Sequence, residues 1–311
     1  MPKPSQPDHG TPDARTSGAR TPGGPARAYE TLIDAATLAQ HVTDPDWLVV
    51  DCRFDLSRPD AGTEAYRAGH IPNAVYAHLD RDLAGPVTPL SGRHPLPDPQ
   101  AFAATLGHWG LEPGMQVVAY DADSGAFAAR LWWLLRWVGH RKVAVLDGGF
   151  KAWLAEGLPT STRPPVRRAT RFEVHPQRDA WLDAAQVAER AQRADWRLLD
   201  ARAPERYAGT IEPIDAVGGH VPGARNHPFK DNLAENGRFA PPEELRRRLE
   251  RSQDGVADDH TIAMCGSGVT ACHLLLALEV AGKSGARLYA GSWSEWIRDP
   301  TRGVARGTGP A

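Results

Sequence analysis

The chain has 311 residues and a mass of 33.7 kDa, with 41% hydrophobic and 24% charged residues, a globular balance that excludes a wholly disordered chain and allows one large domain or two ordinary ones. Lysine and arginine number 36 against 38 aspartates and glutamates, so the formal net charge of −2 gives no global field to draw in nucleic acid or an anionic membrane. Three cysteines exclude a disulfide scaffold and suit a reducing compartment such as the cytoplasm, and apolar runs such as 131–135 fall far short of the roughly 20 residues that span a bilayer.

Residues 1–28 hold six prolines and no Val, Ile, Leu or aromatic residue, which predicts a disordered tail with no apolar signal region. A first folded block is expected over 29–157, a proline- and arginine-rich linker over 158–178, and a second block over 179–311. In the first block, short β-branched runs at 48–51, 117–120 and 143–146 alternate with helical patterns at 125–138 and 150–156. The second block has strands at 197–200, 261–264 and 286–290, and helices at 241–250, 270–281 and 292–298. Strands apolar on both faces imply an α/β architecture, each block a mostly parallel sheet flanked by helices.

The two blocks repeat each other. Asp51 ends the run Leu48-Val49-Val50, and His70 of Gly69-His70-Ile71-Pro72-Asn73-Ala74 follows it by 19 positions. Asp200 ends Leu198-Leu199, and His220 of Gly219-His220-Val221-Pro222-Gly223-Ala224 follows it by 20. Asp121 then matches Cys265. Gly148-Gly149-Phe150-Lys151-Ala152-Trp153 lies 27 residues after Asp121, and Gly291-Ser292-Trp293-Ser294-Glu295-Trp296 lies 26 after Cys265. A repeat of about 130 residues is the size of a domain, not of a solenoid unit. His70, His220, Asp51 and Asp200 recur in both copies, although one copy lacks a cysteine, which marks them as structural.

Chemistry concentrates in Cys265-Gly266-Ser267-Gly268-Val269-Thr270. A strand delivers Cys265 to a glycine loop, and a helix follows at once. Ligands in such folds sit beyond the carboxyl ends of strands. Inward N–H groups and a helix N-terminus favour an anion there, so Cys265 is expected to act as a nucleophilic thiolate. A cysteine-dependent phosphatase needs an arginine six positions on, where Ala271 stands. Sulfur transfer through a persulfide fits better, because main-chain N–H groups alone can hold an anionic sulfur. Cys272, seven positions after Cys265, and Cys52 read as core. The cysteine spacing suits no zinc site, and nucleotide fingerprints are absent at strand ends, so neither a metal nor a cofactor is expected.

The paired Gly-His-Ile/Val-Pro-x-Ala segments, the Cys265 loop and Gly291-Ser292-Trp293-x-x-Trp296 resemble the two-domain rhodanese-like sulfurtransferases over roughly residues 29–300. The resemblance implies two tandem rhodanese-like domains, the second catalytic, the first carrying Asp121 in place of the cysteine. The uncharged loop is similar to that of 3-mercaptopyruvate sulfurtransferases, whereas thiosulfate enzymes place basic residues after the cysteine. The family further implies a proton relay of Ser267, His94 and Asp80, and Arg206 as the clamp for the donor's carboxylate or sulfonate, with Gly266, Gly268, Val269 and Thr270 lining the site. A second family arginine is missing from the stretch before His220, which instead carries Glu212 and Asp215. A weakened affinity for mercaptopyruvate is expected from that loss. The implied partners are a small-molecule sulfur donor and an acceptor that is cyanide or a thiol, thioredoxin included, with no nucleic acid and no membrane. A thiosulfate-preferring rhodanese and a persulfide-binding scaffold with little turnover are the alternatives.

Overall fold

A computed structural model of the chain describes residues 28–309. The tail expected over 1–28 lies outside the described residues apart from Ala28. The first half runs β1 (Leu32–Ile33), α1 (Ala35–Ala39), β2 (Trp47–Asp51), α2 (Ala61–Ala68), β3 (Val75–Tyr76), α3 (Leu79–Asp82), α4 (Pro99–His108), β4 (Gln116–Tyr120), α5 (Ala128–Trp137), β5 (Val143–Leu146) and α6 (Gly149–Ala155). The second runs β6 (Trp181–Leu182), α7 (Ala184–Arg190), β7 (Arg197–Asp200), α8 (Pro204–Ala208), β8 (Arg225–Asn226), α9 (Pro242–Gln253), β9 (Thr261–Met264), α10 (Thr270–Val280), β10 (Arg287–Tyr289) and α11 (Ser292–Trp296), with 3-10 turns at Phe229–Asn232 and Asp258–His260. The stretch from 158 to 178 is mostly irregular and strapped to the first half, where Arg167 donates to the Trp47 carbonyl at 2.6 Å and the Thr170 N–H to Gly107 O at 2.9 Å.

Each half forms a five-stranded sheet, ordered β1-β5-β4-β2-β3 and β6-β10-β9-β7-β8, and every pairing is parallel. The two orders match strand for strand. Asp51 pairs with Tyr120 at the end of β4, and Asp200 pairs with Met264 at the end of β9. Asp121 and Cys265 therefore emerge one residue past equivalent strand ends, where open parallel sheets hold their ligands.

Repeated polar locks hold those ends. Asp51 accepts from the Arg53 side chain and Asp200 from that of Arg202, and each arginine also donates to the carbonyl of Gly69 or Gly219 at 2.7 Å. His70 stacks on Tyr66 at 4.0 Å and His220 on Tyr207 at 3.7 Å, both histidines buried and bonded to the carbonyl of the tyrosine they stack on.

α5 and α10 carry apolar residues nearly all round, as helices packed on every side do. They pack on each other, so one buried cluster runs from Leu131 and Leu135 of the first half to Leu274 and Leu278 of the second. Trp132, Trp133 and Trp137 are core residues of this contact. Among the described residues, no helix is long and apolar enough to cross a membrane.

Candidate active site

Cys265 is buried at the end of β9, and α10 begins five residues later at Thr270. The Gly268 N–H points at its sulfur and donates at 3.2 Å. Gly268 has φ +77, and a Cβ there would stand 2.3 Å from the Ala290 carbonyl oxygen, so the turn that aims this N–H tolerates only glycine. The Cys265 N–H is capped by the Ser292 hydroxyl at 3.0 Å, which in turn donates to Tyr289 O at 2.9 Å. Ser292 itself sits at φ +53, a strained position for a non-glycine residue that its two hydrogen bonds hold in place.

The first half shows what such a loop does to an anion. Asp121 stands where Cys265 stands, and its buried carboxylate accepts from the N–H groups of Phe127 at 2.8 Å, Gly125 at 2.9 Å, Asp123 at 3.2 Å and Ala128 at 3.3 Å. Burial raises this carboxyl's pKa and the loop N–H groups work against that rise. One copy of the cradle is thus filled by its own side chain, and the other presents a sulfur.

The residues beside Cys265 come from both halves. His94, on the loop after α3, places Nδ1 2.7 Å from the Ser267 hydroxyl and Nε2 3.1 Å from Asp80. The nearby Asp80 carboxylate favours a proton on Nε2, which leaves Nδ1 to accept from the Ser267 hydroxyl. Burial pushes the His94 imidazole down to about 3, reinforced by the guanidiniums of Arg130 and Arg93, so the ring is neutral near pH 7.

A cavity of about 210 Å³ opens over Cys265, Gly266, Ser267, Val269 and Thr270. Arg206 and Arg93 lie along it, and a Cβ added to Gly266 would meet the Arg93 guanidinium at 2.9 Å and that of Arg206 at 3.4 Å. The sequence-predicted residues Cys265, Ser267, His94, Asp80, Arg206, Gly266, Gly268, Val269 and Thr270 thus gather at one place.

Four features escaped the sequence reading. Arg93 enters from the first half and stands beside Arg206, although no second arginine precedes His220. Glu212 and Asp215 turn inward: Glu212 accepts Arg206 Nε with both oxygens at 3.0 Å, and Asp215 takes Arg206 Nη2 at 2.9 Å and Arg93 Nη1. Arg130 of α5 is fully buried and donates to the carbonyls of Gly268 and His94 at 3.1 Å and of Leu83 and Pro95 at 3.3 Å. Ser292 is the fourth. The only textual signal for Arg93 was its place next to His94. Cys272 is buried against the same loop, donates to Gly268 O at 3.2 Å, and has its thiol pushed up to about 12 by burial. Among the described residues, no group of three or more His, Cys, Asp or Glu side chains could hold a metal ion.

A sequence model of the rhodanese-like domain matches the chain twice, at residues 34–156 and 183–299. The chain belongs to the rhodanese-like family. Over 278 residues it is 50% identical to the Pseudomonas aeruginosa protein named "Probable 3-mercaptopyruvate sulfurtransferase", covering 89% of this chain and 98% of that one. It is 35% identical over 294 residues to the thiosulfate sulfurtransferase of Bos taurus, covering 90% and 97%. The 3-mercaptopyruvate sulfurtransferase structure from Leishmania major superimposes with a TM-score of 0.78 at 30% identity, over 89% of this chain and 77% of that one. This rhodanese-like chain is a sulfurtransferase.

Proposed function

We propose that the chain takes sulfur from 3-mercaptopyruvate in preference to thiosulfate, holds it as a persulfide on Cys265, and passes it to a thiol or to cyanide. The observation that carries the donor assignment is the Ser267–His94 hydrogen bond at 2.7 Å beside the cysteine, with the Asp80 carboxylate 3.1 Å from the other ring nitrogen. Thiosulfate loses its outer sulfur to leave sulfite and needs no proton moved. Mercaptopyruvate does need one. When the Cys265 thiolate attacks the donor sulfur, an S–S bond forms, the C–S bond breaks, and the electron pair leaves on the pyruvate enolate. The proton on the transferred sulfur must then reach the enolate carbon. Ser267 can take it while handing its own to neutral His94, and the steps reverse toward the enolate. Asp80 fixes the tautomer and supports the imidazolium while it lasts. In the second stage an acceptor thiolate attacks the outer sulfur and releases the Cys265 thiolate, so the enzyme is regenerated.

The arginine pair supports the same donor. Arg93 and Arg206 supply a two-pronged site for one carboxylate, and Glu212 and Asp215 cancel their charge. That balance suits a monoanion better than a dianion. Arg93 supplies from the first half the second guanidinium missing before His220. Leu56 and Ile214, 51% and 46% exposed, line the cavity mouth and offer an apolar rim to a protein thiol such as a thioredoxin, which fits a cytoplasmic setting.

Cys265→Ser is expected to abolish transfer with the melting temperature preserved, because a hydroxyl at this position is neither ionised nor able to carry sulfur. Mass spectrometry of the wild type after donor treatment should add one sulfur to Cys265. Cys272→Ser should keep most activity. A higher kcat/KM with thiosulfate than with mercaptopyruvate in the wild type would overturn the donor assignment, and transfer by a folded Cys265→Ser variant would overturn the mechanism.

A further inference from the structure

The two arginines that would clamp a donor carboxylate already hold one. Asp215 is 5% exposed and bridges the halves, with Oδ1 on Arg93 Nη1 and Oδ2 on Arg206 Nη2 at 2.9 Å. Its geometry is that of a bound carboxylate ligand, one oxygen per guanidinium, and the same two guanidiniums reach the cavity floor at Gly266 through Arg93 Nη2 and Arg206 Nη1. Glu212 is a different kind of partner. It holds Arg206 Nε with both oxygens, shares Arg206 Nη2 with Asp215 at 2.9 Å, lies 3.6 Å from Arg202, and accepts the N–H groups of Ile214 and Asp215 at 3.0 Å, which fixes it in place and shapes the turn that carries Asp215 inward. The turn is tied down at Val217, whose carbonyl accepts from the Trp293 indole at 2.8 Å, while Ile214 at its tip is exposed. Asp215 can therefore leave the arginines by a local movement between two fixed points.

We propose that Asp215 is a built-in competitor of the donor: it occupies the Arg93–Arg206 clamp in the resting enzyme and is displaced by the incoming carboxylate. The inference rests on the reading of those arginines as the donor clamp. A tethered carboxylate acts at a high effective concentration, so any free anion must outcompete it. The fraction of molecules with an open clamp divides directly into apparent affinity. Small inorganic anions that form two contacts no better than a carboxylate are kept out, and a keto acid that also engages the cradle through its sulfur is admitted. Because Asp215 offsets one positive charge, the penalty is heavier for thiosulfate, a dianion, than for mercaptopyruvate.

Asp215→Asn preserves shape and removes the charge. The KM for mercaptopyruvate is expected to fall about tenfold, with the change on KM rather than on kcat, and the KM for thiosulfate to fall further. A readout without turnover keeps the inference apart from the donor assignment: protection of Cys265 from iodoacetamide by pyruvate, followed by mass spectrometry. Half-protection should need about tenfold less pyruvate in Asp215→Asn, and Asp215→Ala should behave alike. Equal protection in wild type and variants, or a raised KM, would overturn the competitor role and make Asp215 a strut for the arginines. Absence of protection in every protein would remove the clamp itself, and the competitor with it.

Discussion

At the residue scale, the proposed relay turns on His94. Its imidazole is buried and neutral, with Nδ1 bonded to Ser267 and Nε2 near Asp80, so the relay needs no prior deprotonation, and burial returns any proton it takes quickly. A free histidine would be largely protonated at pH 5. The His94 resonances in an NMR titration should instead stay at neutral values from pH 8 to 5. Movement with a midpoint near 6.5 would show a solvated ring. His94→Asn keeps a polar side chain but loses the proton acceptor. It should lower kcat/KM on mercaptopyruvate by about 10²- to 10⁴-fold, the usual worth of a positioned general base. Thiosulfate turnover, which needs no proton transfer, should fall much less. Equal losses on both donors would place His94 in packing and not in the relay. Ser292 makes a related point about single residues. It occupies the slot of Gly149 in the other copy, at nearly the same positive φ (+53 against +56), and accepts the strain because its hydroxyl caps the cysteine's N–H.

At the scale of elements, α5 joins the halves through an apolar surface and one charge. Arg130 has no carboxylate partner among the described residues, and its donors go to carbonyls of the Leu83, His94, Pro95 and Gly268 segments and to the Cys272 sulfur. It therefore ties the relay loop of one half to the cysteine loop of the other. Arg130→Met would leave the Leu83 and His94 carbonyls without donors, at about 1–3 kcal/mol each, whereas Gly268 O keeps Cys272 and Pro95 O keeps the Gly85 N–H. The urea midpoint should drop by the equivalent of at least about 2 kcal/mol, and kcat/KM by tenfold or more as His94 and Gly268 lose their common anchor. A loss under about 1 kcal/mol would mean that the carbonyls find other donors. α5 and α10 were legible in the sequence because their apolar runs are long, and the repeat exposed the shared α/β plan. The two-residue strands β1, β3, β6 and β8 were not, since so short an element has no period to detect. Arg130 was illegible for a different reason: a lone charge in an apolar helix reads as a solvated position unless the packing around it is known. Glu212 and Asp215 were read as acids standing where an arginine was missing, because sequence spacing carries no direction. The turn that points them at Arg206 exists only in three dimensions.

Taken as one molecule, the chain is a duplication in which the copies have divided the work. The first copy has closed its cradle with Asp121 and contributes Asp80, Arg93, His94 and Arg130 to the other's site. The second keeps the cysteine, the serine and Arg206. The apolar contact of α5 with α10 buries side chains such as Leu274 and Leu278, so neither half is finished alone. A polypeptide of residues 179–311 retains its own parallel sheet and the Cys265 loop but loses His94, the Arg93 guanidinium and the cover over α10. It should fold in part, judged by far-UV circular dichroism, and self-associate through the bared helix face. Its transfer from mercaptopyruvate should be at least about 100-fold below that of the intact chain, the contribution of the general base alone. Coexpression with residues 28–178 should recover part of that loss, because the contact between halves is a hydrophobic interface that can form between separate chains. A monomeric second half with full activity would show that the first copy serves only as a scaffold and that proton transfer runs through residues of the second half.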